Sequence, residues 1–190
     1  MSDIVIPGIG VLEPVPVWDR EDLVAQPVKE ALRWLDKEHP ELHEQIMVCE
    51  ISEEFADTEA MTAKYGMDLD LSVNCIVVTG KRQGEERTAA CAVRATTQLD
   101  VNHVVKRMLD VRKASFMSQK EAVARTGMEY GGITMMGIPE EWRLLVDSQA
   151  ADGWACIGSG LRRSKLFVTG NVLAALPGVG IIEGLATSVE

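Results

Sequence analysis

The residues best placed for chemistry that uses the backbone lie between Gly127 and Pro139, where the sequence reads GMEYGGITMMGIP. Four of these thirteen residues are glycine. Glycine accepts positive φ angles and lets the backbone approach a ligand that a Cβ atom would block. A glycine-rich turn can therefore direct N–H groups at an oxyanion or a carbonyl oxygen. A plain irregular loop closed by Pro139 has the same composition, so this alternative stays open here.

A second glycine turn occurs in the sequence GSGLRRSK, where Gly158, Ser159 and Gly160 follow a strand-like run. Three cations come next: Arg162, Arg163 and Lys165. Backbone amides beside cations suit a phosphate or a ribose-phosphate end. A strand turn followed by solvated charges fits the same residues. The GxG also lacks the third glycine, and the strand and helix context, of a dinucleotide fingerprint.

Three polar residues interrupt apolar strand-like runs. Asn74 lies in VNCIVV, Arg94 in AVRAT, and Asp147 ends RLLVD. Alternation along a strand allows each of them to face solvent. Asn74 shares its strand face with Ile76 and Val78, so it points inward if they do. In that case its amide must find hydrogen-bond partners.

Motifs for covalent or metal chemistry are absent from the sequence. There is no GxSxG, no Walker lysine loop, no HExxH and no Cys with His pair suited to catalysis. His39 and His43 are spaced i, i+4, but Pro40 lies between them and no further ligands support a metal site. The four cysteines form no CxxC pair and lie in apolar runs, which favours buried free thiols in a reducing cytoplasm. We expect no metal and no cofactor, so catalysis would rest on positioned amides, a bound water and substrate groups.

The acidic charge is concentrated at the start of the chain. The formal net charge is −10. Residues 1–70 carry 5 basic and 17 acidic residues, a net of −12, whereas residues 71–190 carry 14 and 12, a net of +2. The second part can still offer phosphate a local basic patch. Strong sequence-independent binding to duplex DNA is not expected.

Neither a membrane span nor a secretory signal is expected. The longest apolar region, residues 166–186, is interrupted by Asn171, Pro177 and Glu183. The first ten residues have no positive stretch ahead of an apolar run. We therefore expect a cytoplasmic protein without a membrane partner.

Hydrophobic periodicity predicts short helices interleaved with short strands. The predicted helices are 28–39, with Val28, Ala31, Leu32 and Leu35 on one face, 57–65 ending at Gly66, 101–110 capped by Asp100, 119–126 opened by a Ser118 and Glu121 capping box, and 171–176. The predicted strands are 45–52, 73–79, 88–96, 113–117, 143–147, 154–157, 166–169 and 179–182. The second and third strands are expected to form a hairpin.

These elements predict an α+β fold in one domain. At 190 residues the chain can bury roughly 70% of the surface that its unfolded form exposes. No regular βαβ order is present, which favours a mixed β-sheet curled into a barrel-like core with helices outside. Residues 1–26 are predicted to be a loose, extended lead-in, and residues 27–190 the domain itself.

The order of these pieces resembles the YbaK/prolyl-tRNA synthetase-associated domain family, the aminoacyl-tRNA editing deacylases. The matching features are the capped helix before the loop, GGITMMGIP in place of the family's GG, two variable positions, Pro and Gly, the strand ending in Asp147, the GSG turn and a final strand. The resemblance covers roughly residues 57–186. Proteins of this family hydrolyse the ester between a wrongly attached amino acid and the terminal ribose of tRNA. The resemblance also implies a compact mixed β-barrel with surrounding helices.

The resemblance implies a role for each matching residue. The glycine loop would line the aminoacyl pocket and offer N–H groups to the ester carbonyl, each worth about 3 kcal/mol in an oxyanion-like transition state. The GSG turn would form the opposing wall. The expected catalytic residues are Asn74, Gly131, Gly132 and Asp147, the last orienting loops or water. The expected substrate-binding residues are Ile133, Thr134, Gly137, Gly158, Ser159 and Gly160, to which we add Arg162 and Arg163 for the tRNA end.

Two positions depart from the family pattern. Asn74 occupies the place of a lysine, and Met135 or Met136 the place of a loop proline. An amide can still donate a hydrogen bond, but it carries no charge.

The sequence therefore predicts a metal-free aminoacyl-tRNA deacylase that binds the 3′ end of aminoacyl-tRNA. The first alternative is a catalytically silent module that binds aminoacyl-tRNA, an amino acid or a nucleotide in the same pocket. The second is an interaction domain that uses the acidic first 70 residues. The amino acid, the tRNA and the oligomeric state are left open.

Overall fold

The structure is a computed structural model that describes residues 4–189. Its strands are β1 (Val15–Pro16), β2 (Ile46–Glu50), β3 (Val73–Arg82), β4 (Glu85–Arg94), β5 (Thr97–Leu99), β6 (Ala114–Phe116), β7 (Arg143–Asp147), β8 (Trp154–Gly158), β9 (Ser164–Thr169), β10 (Val179–Ile182) and β11 (Ala186–Ser188). Its α-helices are α1 (Gln26–Glu38), α2 (Thr58–Tyr65), α3 (Lys106–Leu109), α4 (Gln119–Thr126) and α5 (Gly170–Ala174). A wide helical turn, Val101–Val105, leads into α3.

The helices lie where the sequence predicts them, with bounds that differ by up to two residues, and the predicted helix 101–110 divides into the wide turn and α3. Helix α1 buries Val28, Leu32 and Leu35 along one face. Helix α4 starts at Ser118, whose Oγ accepts a hydrogen bond from the N–H of Glu121 at 3.3 Å. None of the helices within residues 4–189 has the length and apolar character that crossing a membrane requires.

The strands form three sheets. The orders are β1-β2-β9-β8 for the first, β10-β7-β4-β3-β6 for the second and β11-β5 for a two-stranded third. The predicted hairpin is β3 with β4, and its turn uses positive φ angles at Gln83 (52°) and Gly84 (86°), as tight hairpins require. The predicted α+β class is confirmed. The barrel-like detail is not, because the described strands form open sheets instead of one closed ring.

A gap separates the two larger sheets, so they do not join into one closed ring. Strand β6 pairs with β3 only at Val78–Gly80, so the first half of β3 lies at an edge. A single bridge, Ser72 to Cys156, joins that half to β8. The carbonyl oxygen of Ser72 accepts from the N–H of Ala95, so the backbone of Ser72 faces the β4 side of the pair. Backbone groups of successive residues in an antiparallel strand point alternately to the two sides. The N–H and C=O of Cys75, three residues later, therefore point away from β4. The backbone of Cys75 therefore faces the gap.

The largest apolar cluster lies between the two large sheets and beneath α1. It combines residues of β2, β8 and β9 with residues of β3, β4 and β7. Phe167 and Cys156 point to the other face of the first sheet, where they pack on α2 and the N-terminal segment. Because alternate residues of these strands serve two clusters, both faces of the first sheet are covered.

The N-terminal segment is packed, so the expected looseness is wrong. Val17 is fully buried and Leu23 is 1% exposed. The carbonyl oxygen of Leu23 accepts from Ser164 Oγ at 2.6 Å, and that of Asp22 accepts from Arg163 Nη2 at 2.7 Å. Apolar residues scattered among prolines gave no period, which is why the sequence did not indicate this packing. The domain boundary after residue 26 stays a prediction.

Arg94 is a structural clamp. Its guanidinium is half-buried and donates hydrogen bonds to five backbone carbonyl groups, those of Asp70, Leu71, Gln149, Asp152 and Trp154. These carbonyls belong to loops at the end of the hairpin and around β8. The solvent-facing alternative for Arg94 is therefore excluded, and the residue ties the two large sheets together.

Candidate functional site

The two glycine turns lie against each other. The N–H of Gly160 donates to the carbonyl oxygen of Gly132 at 2.7 Å, and the N–H of Glu129 donates to that of Gly160 at 2.9 Å. A Cβ atom at Gly158 would collide with the carbonyl oxygen of Gly132 and lie 2.7 Å from that of Ile133. Glycine at position 158 is therefore required by the close approach of two backbones.

Beside these turns, the gap next to β3 forms a cavity of about 400 Å³. Strand β3, the start of α2, the end of β8 and the glycine loop surround it. Of the predicted site residues, four line it: Asn74, Gly131, Ile133 and Gly158. Other lining residues are Asp57, Thr58, Cys75, Phe116, Tyr130, Cys156 and Lys165.

Three successive carbonyl groups of the glycine loop are held from outside the loop. The carbonyl oxygen of Tyr130 accepts from Arg162 Nη1 at 3.5 Å, that of Gly131 from Lys165 Nζ at 3.1 Å, and that of Gly132 from the N–H of Gly160 at 2.7 Å. In a trans peptide the N–H points opposite to the C=O of the same unit. Anchoring the carbonyls therefore fixes the directions of the N–H groups that follow them.

Of the four N–H groups expected as donors, two remain available for a ligand. Those of Gly131 and Ile133 donate no hydrogen bond to any residue that the structure describes, and both residues line the cavity. The N–H of Gly132 is used within the loop, because it donates to the carbonyl oxygen of Glu129 at 3.0 Å. The N–H of Thr134 contacts Met128 Sδ at 3.5 Å, and the residue is fully buried. The four expected amide donors are thus reduced to two.

Asn74 reaches the cavity with its amide group already oriented. Its Oδ1 accepts a hydrogen bond from Thr58 Oγ1 at 3.0 Å, and Thr58 is the first residue of α2. This bond uses one lone pair of Oδ1 and orients the side chain, and its NH₂ group donates to no described residue. The partners expected of an inward-facing asparagine are therefore partly supplied by α2.

Lys165 is the cation of the cavity, and sequence reasoning did not select it as a site residue. It lies in β9, only 8% exposed, and its ammonium group donates to the carbonyl oxygen of Gly131. Burial is the main cause that lowers the pKa of Lys165 below its ordinary value of 10.5, and the nearby Arg162 adds to the effect. One feature of the sequence could have indicated this position. Lys165 directly precedes the apolar run LFV, and a strand that begins one or two residues earlier includes it.

The two arginines of the second turn point to different places. Arg162 lies at the rim of the cavity, with its guanidinium 5.2 Å from the ring centre of Tyr130 and 3.4 Å from the carboxylate of Asp57. A Cβ atom at Gly131, where φ is +78°, would collide with Arg162 Nη1. Arg163 instead contacts the N-terminal segment and Glu50, away from the cavity.

The remaining predicted residues lie outside the cavity lining. The carboxylate of Asp147 is 1% exposed and accepts from the N–H groups of Gln149 and Ala186, at 2.9 and 3.0 Å. It therefore orients loops at the end of β7. Of the two roles expected for it, orienting loops or orienting water, these bonds correspond to the first. A Cβ atom at Gly137 would collide with the carbonyl oxygen of Pro27, so this glycine is needed where the loop meets α1.

Ser159 and Gly160 shape the second turn from behind the cavity. Ser159 Oγ bonds Ser164 Oγ at 2.8 Å and accepts from the N–H of Leu161 at 3.2 Å. Gly160 has φ +83°, and a Cβ atom there would collide with the side chain of Ala25. Both residues therefore hold the turn in place.

The two cavity cysteines are unsuited to nucleophilic attack. Burial raises the pKa of Cys75 and of Cys156 to about 12 each. At neutral pH both are thiols, and the thiolate is the nucleophilic form. No group of three or more His, Cys, Asp or Glu side chains suited to hold a metal ion occurs within residues 4–189.

One family model matches this chain, and three solved structures share its fold. The family model for the aminoacyl-tRNA editing domain matches residues 52–176. Three solved structures, each 16% identical, share the fold: a proposed trans-editing enzyme for prolyl-tRNA synthetase, a scaffold protein from computational epitope grafting and a hypothetical protein. Their TM-scores are 0.65, 0.66 and 0.68, they cover 84, 84 and 85% of this chain, and 97, 97 and 100% of their own chains are matched. No curated protein matches the chain.

Proposed function

Because this chain belongs to the aminoacyl-tRNA editing domain family, we propose that it hydrolyses the ester of mischarged tRNA by stabilising an oxyanion with backbone N–H groups, without a metal. The observation that carries the proposal is the pair of N–H groups of Gly131 and Ile133, which lie in one cavity with the ammonium group of Lys165. Cytoplasmic localisation and the absence of a duplex DNA partner stay predictions from the sequence.

The reaction needs a site where negative charge on the ester carbonyl oxygen is stabilised. As water attacks the carbonyl carbon, this oxygen becomes an oxyanion and accepts from Gly131 and Ile133. Donors that are already oriented lower the barrier because they need no reorganisation during the reaction. The bond from the acyl carbon to the ribose oxygen then breaks, and the ribose oxygen takes the proton lost by the water. A neighbouring ribose hydroxyl group can relay that proton.

Lys165 and Asn74 divide the task of the lysine that the family carries at position 74. The ammonium group of Lys165 comes from β9, across the cavity from β3, and supplies the positive charge. The NH₂ group of Asn74 donates to the ester or to the attacking water, since the bond from Thr58 orients the side chain. The loss of the lysine from β3 therefore does not leave the cavity without a cation.

A catalytically silent binding module remains the second candidate function. One observation favours it: the only carboxylate among the described lining residues is Asp57, which is paired with Arg162. A general base for the water must then come from the substrate. A module without this help would bind aminoacyl-tRNA, an amino acid or a nucleotide and release it unchanged.

The test is hydrolysis of a panel of mischarged tRNAs by the wild type, by Asn74→Ala and by Gly132→Val. A Cβ atom at Gly132 would lie 2.6 Å from the backbone of Leu161, so valine must displace the loop that carries both free N–H groups. Matched controls are Asn171→Ala on α5, which is exposed, and Gly180→Val on β10, where a Cβ atom meets no atom closer than 3.5 Å.

We expect turnover of at least one tRNA by the wild type and both controls, and its loss in both site variants. Retained binding of aminoacyl-tRNA with no turnover of any panel member would refute the deacylase and establish the silent module. Turnover that both site variants keep would place the reaction elsewhere on the molecule.

A further inference from the structure

Two aromatic side chains at the mouth of the cavity are exposed to solvent. Phe116 is 64% exposed and Tyr130 is 49% exposed, and both line the cavity. Phe116 lies in β6, and Tyr130 belongs to the glycine loop. Exposed apolar rings at the entrance of a polar cavity mark a contact surface.

The fold holds both rings in their exposed positions. Alternation along the edge strand β6 directs Met117, the next residue, into the core, where it is 8% exposed, and turns Phe116 outward. Tyr130 is fixed on one side by the guanidinium of Arg162, which lies 5.2 Å from its ring centre. Both exposed rings are therefore accessible to a flat partner.

The flank of Phe116 is basic, although the chain as a whole is acidic. Residues 111–120, VRKASFMSQK, contain three cations and no acidic residue. Arg112, Lys113 and Lys120 are all exposed. Against a formal net charge of −10, this strand and its ends form a local patch that attracts phosphate.

We propose that Phe116 and Tyr130 form a stacking subsite for the unpaired nucleobases at the 3′ end of an RNA strand, with Arg112, Lys113 and Lys120 on its phosphates. This subsite rests on the proposed function, because it extends the path of the same substrate out of the cavity. A cavity of about 400 Å³ that takes the aminoacyl ester and its ribose leaves the nucleotides that precede this ribose in the strand at its mouth. Proteins bind unpaired bases by stacking them on aromatic side chains, and bind the backbone with cations.

The subsite is separate from the groups assigned to the ester. Gly131, Ile133, Lys165 and Asn74 lie inside the cavity, whereas the two rings lie at its mouth. Both rings are therefore expected to set the affinity for RNA. Only Phe116 is expected to leave the reaction on a base-free ester unchanged, because the ring of Tyr130 packs on Arg162, which anchors the carbonyl oxygen before the N–H of Gly131.

The first experiment measures the Kd of a short, uncharged single-stranded RNA oligonucleotide for the full chain, by fluorescence anisotropy. Each of Phe116→Ala and Tyr130→Ala is expected to weaken binding about tenfold, within the range for one stacked base. Phe116→Trp is expected to keep the wild-type Kd, because a larger ring still stacks. Trp34→Ala is the matched control, since Trp34 is an exposed aromatic residue of α1, 38% exposed, outside the cavity lining.

Salt dependence separates stacking from a general loss of structure. Phe116→Ala is expected to leave the slope of log Kd against log salt unchanged, whereas Lys113→Ala lowers it by about 0.7 for one lost contact with single-stranded RNA. A Kd unchanged within twofold in both ring variants would overturn the subsite. So would an equal loss in Trp34→Ala.

The second experiment distinguishes this inference from the proposed function. Wild type and ring variants are compared on mischarged tRNA and on an aminoacyl ethyl ester, which has no base. If the wild type hydrolyses neither substrate, the proposed function fails while the oligonucleotide result still decides the subsite. If it hydrolyses both, Phe116→Ala is expected to raise KM for the tRNA alone; an equal loss on the ethyl ester in this variant would refute a base-binding role.

Discussion

Replacing Lys165 by methionine removes the buried charge of the cavity and keeps a side chain of similar length. In the structure this ammonium group is 8% exposed and lies 3.1 Å from the carbonyl oxygen of Gly131. A hydrogen bond to a charged group contributes about 1.5–3 kcal/mol. If the ammonium group contacts the ester or its oxyanion, Lys165→Met is expected to lower kcat/KM by about 10- to 150-fold.

Stability is expected to respond differently from activity. The substitution removes the bond to Gly131, but it also removes the cost of keeping a charge away from water, which is several kcal/mol for a buried ion. The two contributions have opposite signs. We therefore expect the free energy of unfolding to stay within about 1 kcal/mol of the wild type. Urea denaturation measures this value, and it shows whether lost activity reflects lost structure.

The matched control is Arg163→Met, which lies two residues before Lys165, in the turn that leads into β9. Its guanidinium contacts Asp22 and Glu50 away from the cavity, so its removal is expected to leave kcat/KM within about threefold of the wild type. Lys165→Gln tests whether anchoring of Gly131 is enough, since an amide donates without a charge. The assay is release of the amino acid from mischarged tRNA at saturating and limiting substrate. Wild-type kcat/KM in Lys165→Met, or full activity in Lys165→Gln, would refute a role for the charge.

Three further outcomes are expected. Because burial lowers the pKa of Lys165 in the folded protein, the unfolded chain binds more protons between that value and 10.5; the free energy of unfolding of the wild type relative to that of Lys165→Met should therefore rise with pH through this window in urea titrations, and the comparison cancels the buried cysteines, whose raised pKa acts in the opposite direction. Arg94→Leu should lower the free energy of unfolding by about 3 kcal/mol in the same assay, because it removes five hydrogen bonds from a charged donor, two of them to partly buried carbonyl groups; a loss below 1 kcal/mol would show that the clamp contributes little. Gly158→Ala should cost about 1–3 kcal/mol and most of the deacylation activity, since its Cβ atom must separate the two turns, and an unchanged melting temperature would contradict that close approach.

The elements with strong local signals were predictable from the sequence. The hairpin of β3 and β4 is encoded by two β-prone runs around a Gln83 and Gly84 turn, and α4 is encoded by its Ser118 cap. The strands β1, β5 and β11 were missed, because two or three residues show no period. The barrel-like detail was not confirmed for a related reason: pairing between distant strands depends on the extent of β6, which is only three residues long.

The site could be predicted only in part, because folding decides the hydrogen-bond partners and the burial of each side chain and backbone amide. Composition located the glycine loop, but it could not show that Glu129 takes the N–H of Gly132 and leaves that of Ile133 free. Lys165 was named only as one of three cations after the turn, with phosphate binding and solvation both left open, because the strand that buries it was predicted to begin two residues late, at residue 166. Asp147 was correctly placed at the end of a strand, but periodicity does not show which end of a sheet faces a cavity.

The bonds from the N-terminal segment to β9 make the start of the chain part of the cavity's own cooperative unit. The carbonyl oxygen of Leu23 holds Ser164, the neighbour of Lys165, and the N–H of Ala25 donates to the carbonyl oxygen of Ser159 at 3.0 Å. Segments joined in this way open together and share one local unfolding free energy. A chain trimmed to begin at Pro27 would lose these bonds. The start of β9, which carries the ammonium group of Lys165, would then fray. The smallest piece of this protein that can be fused to another and still carry the site must therefore begin before Asp22.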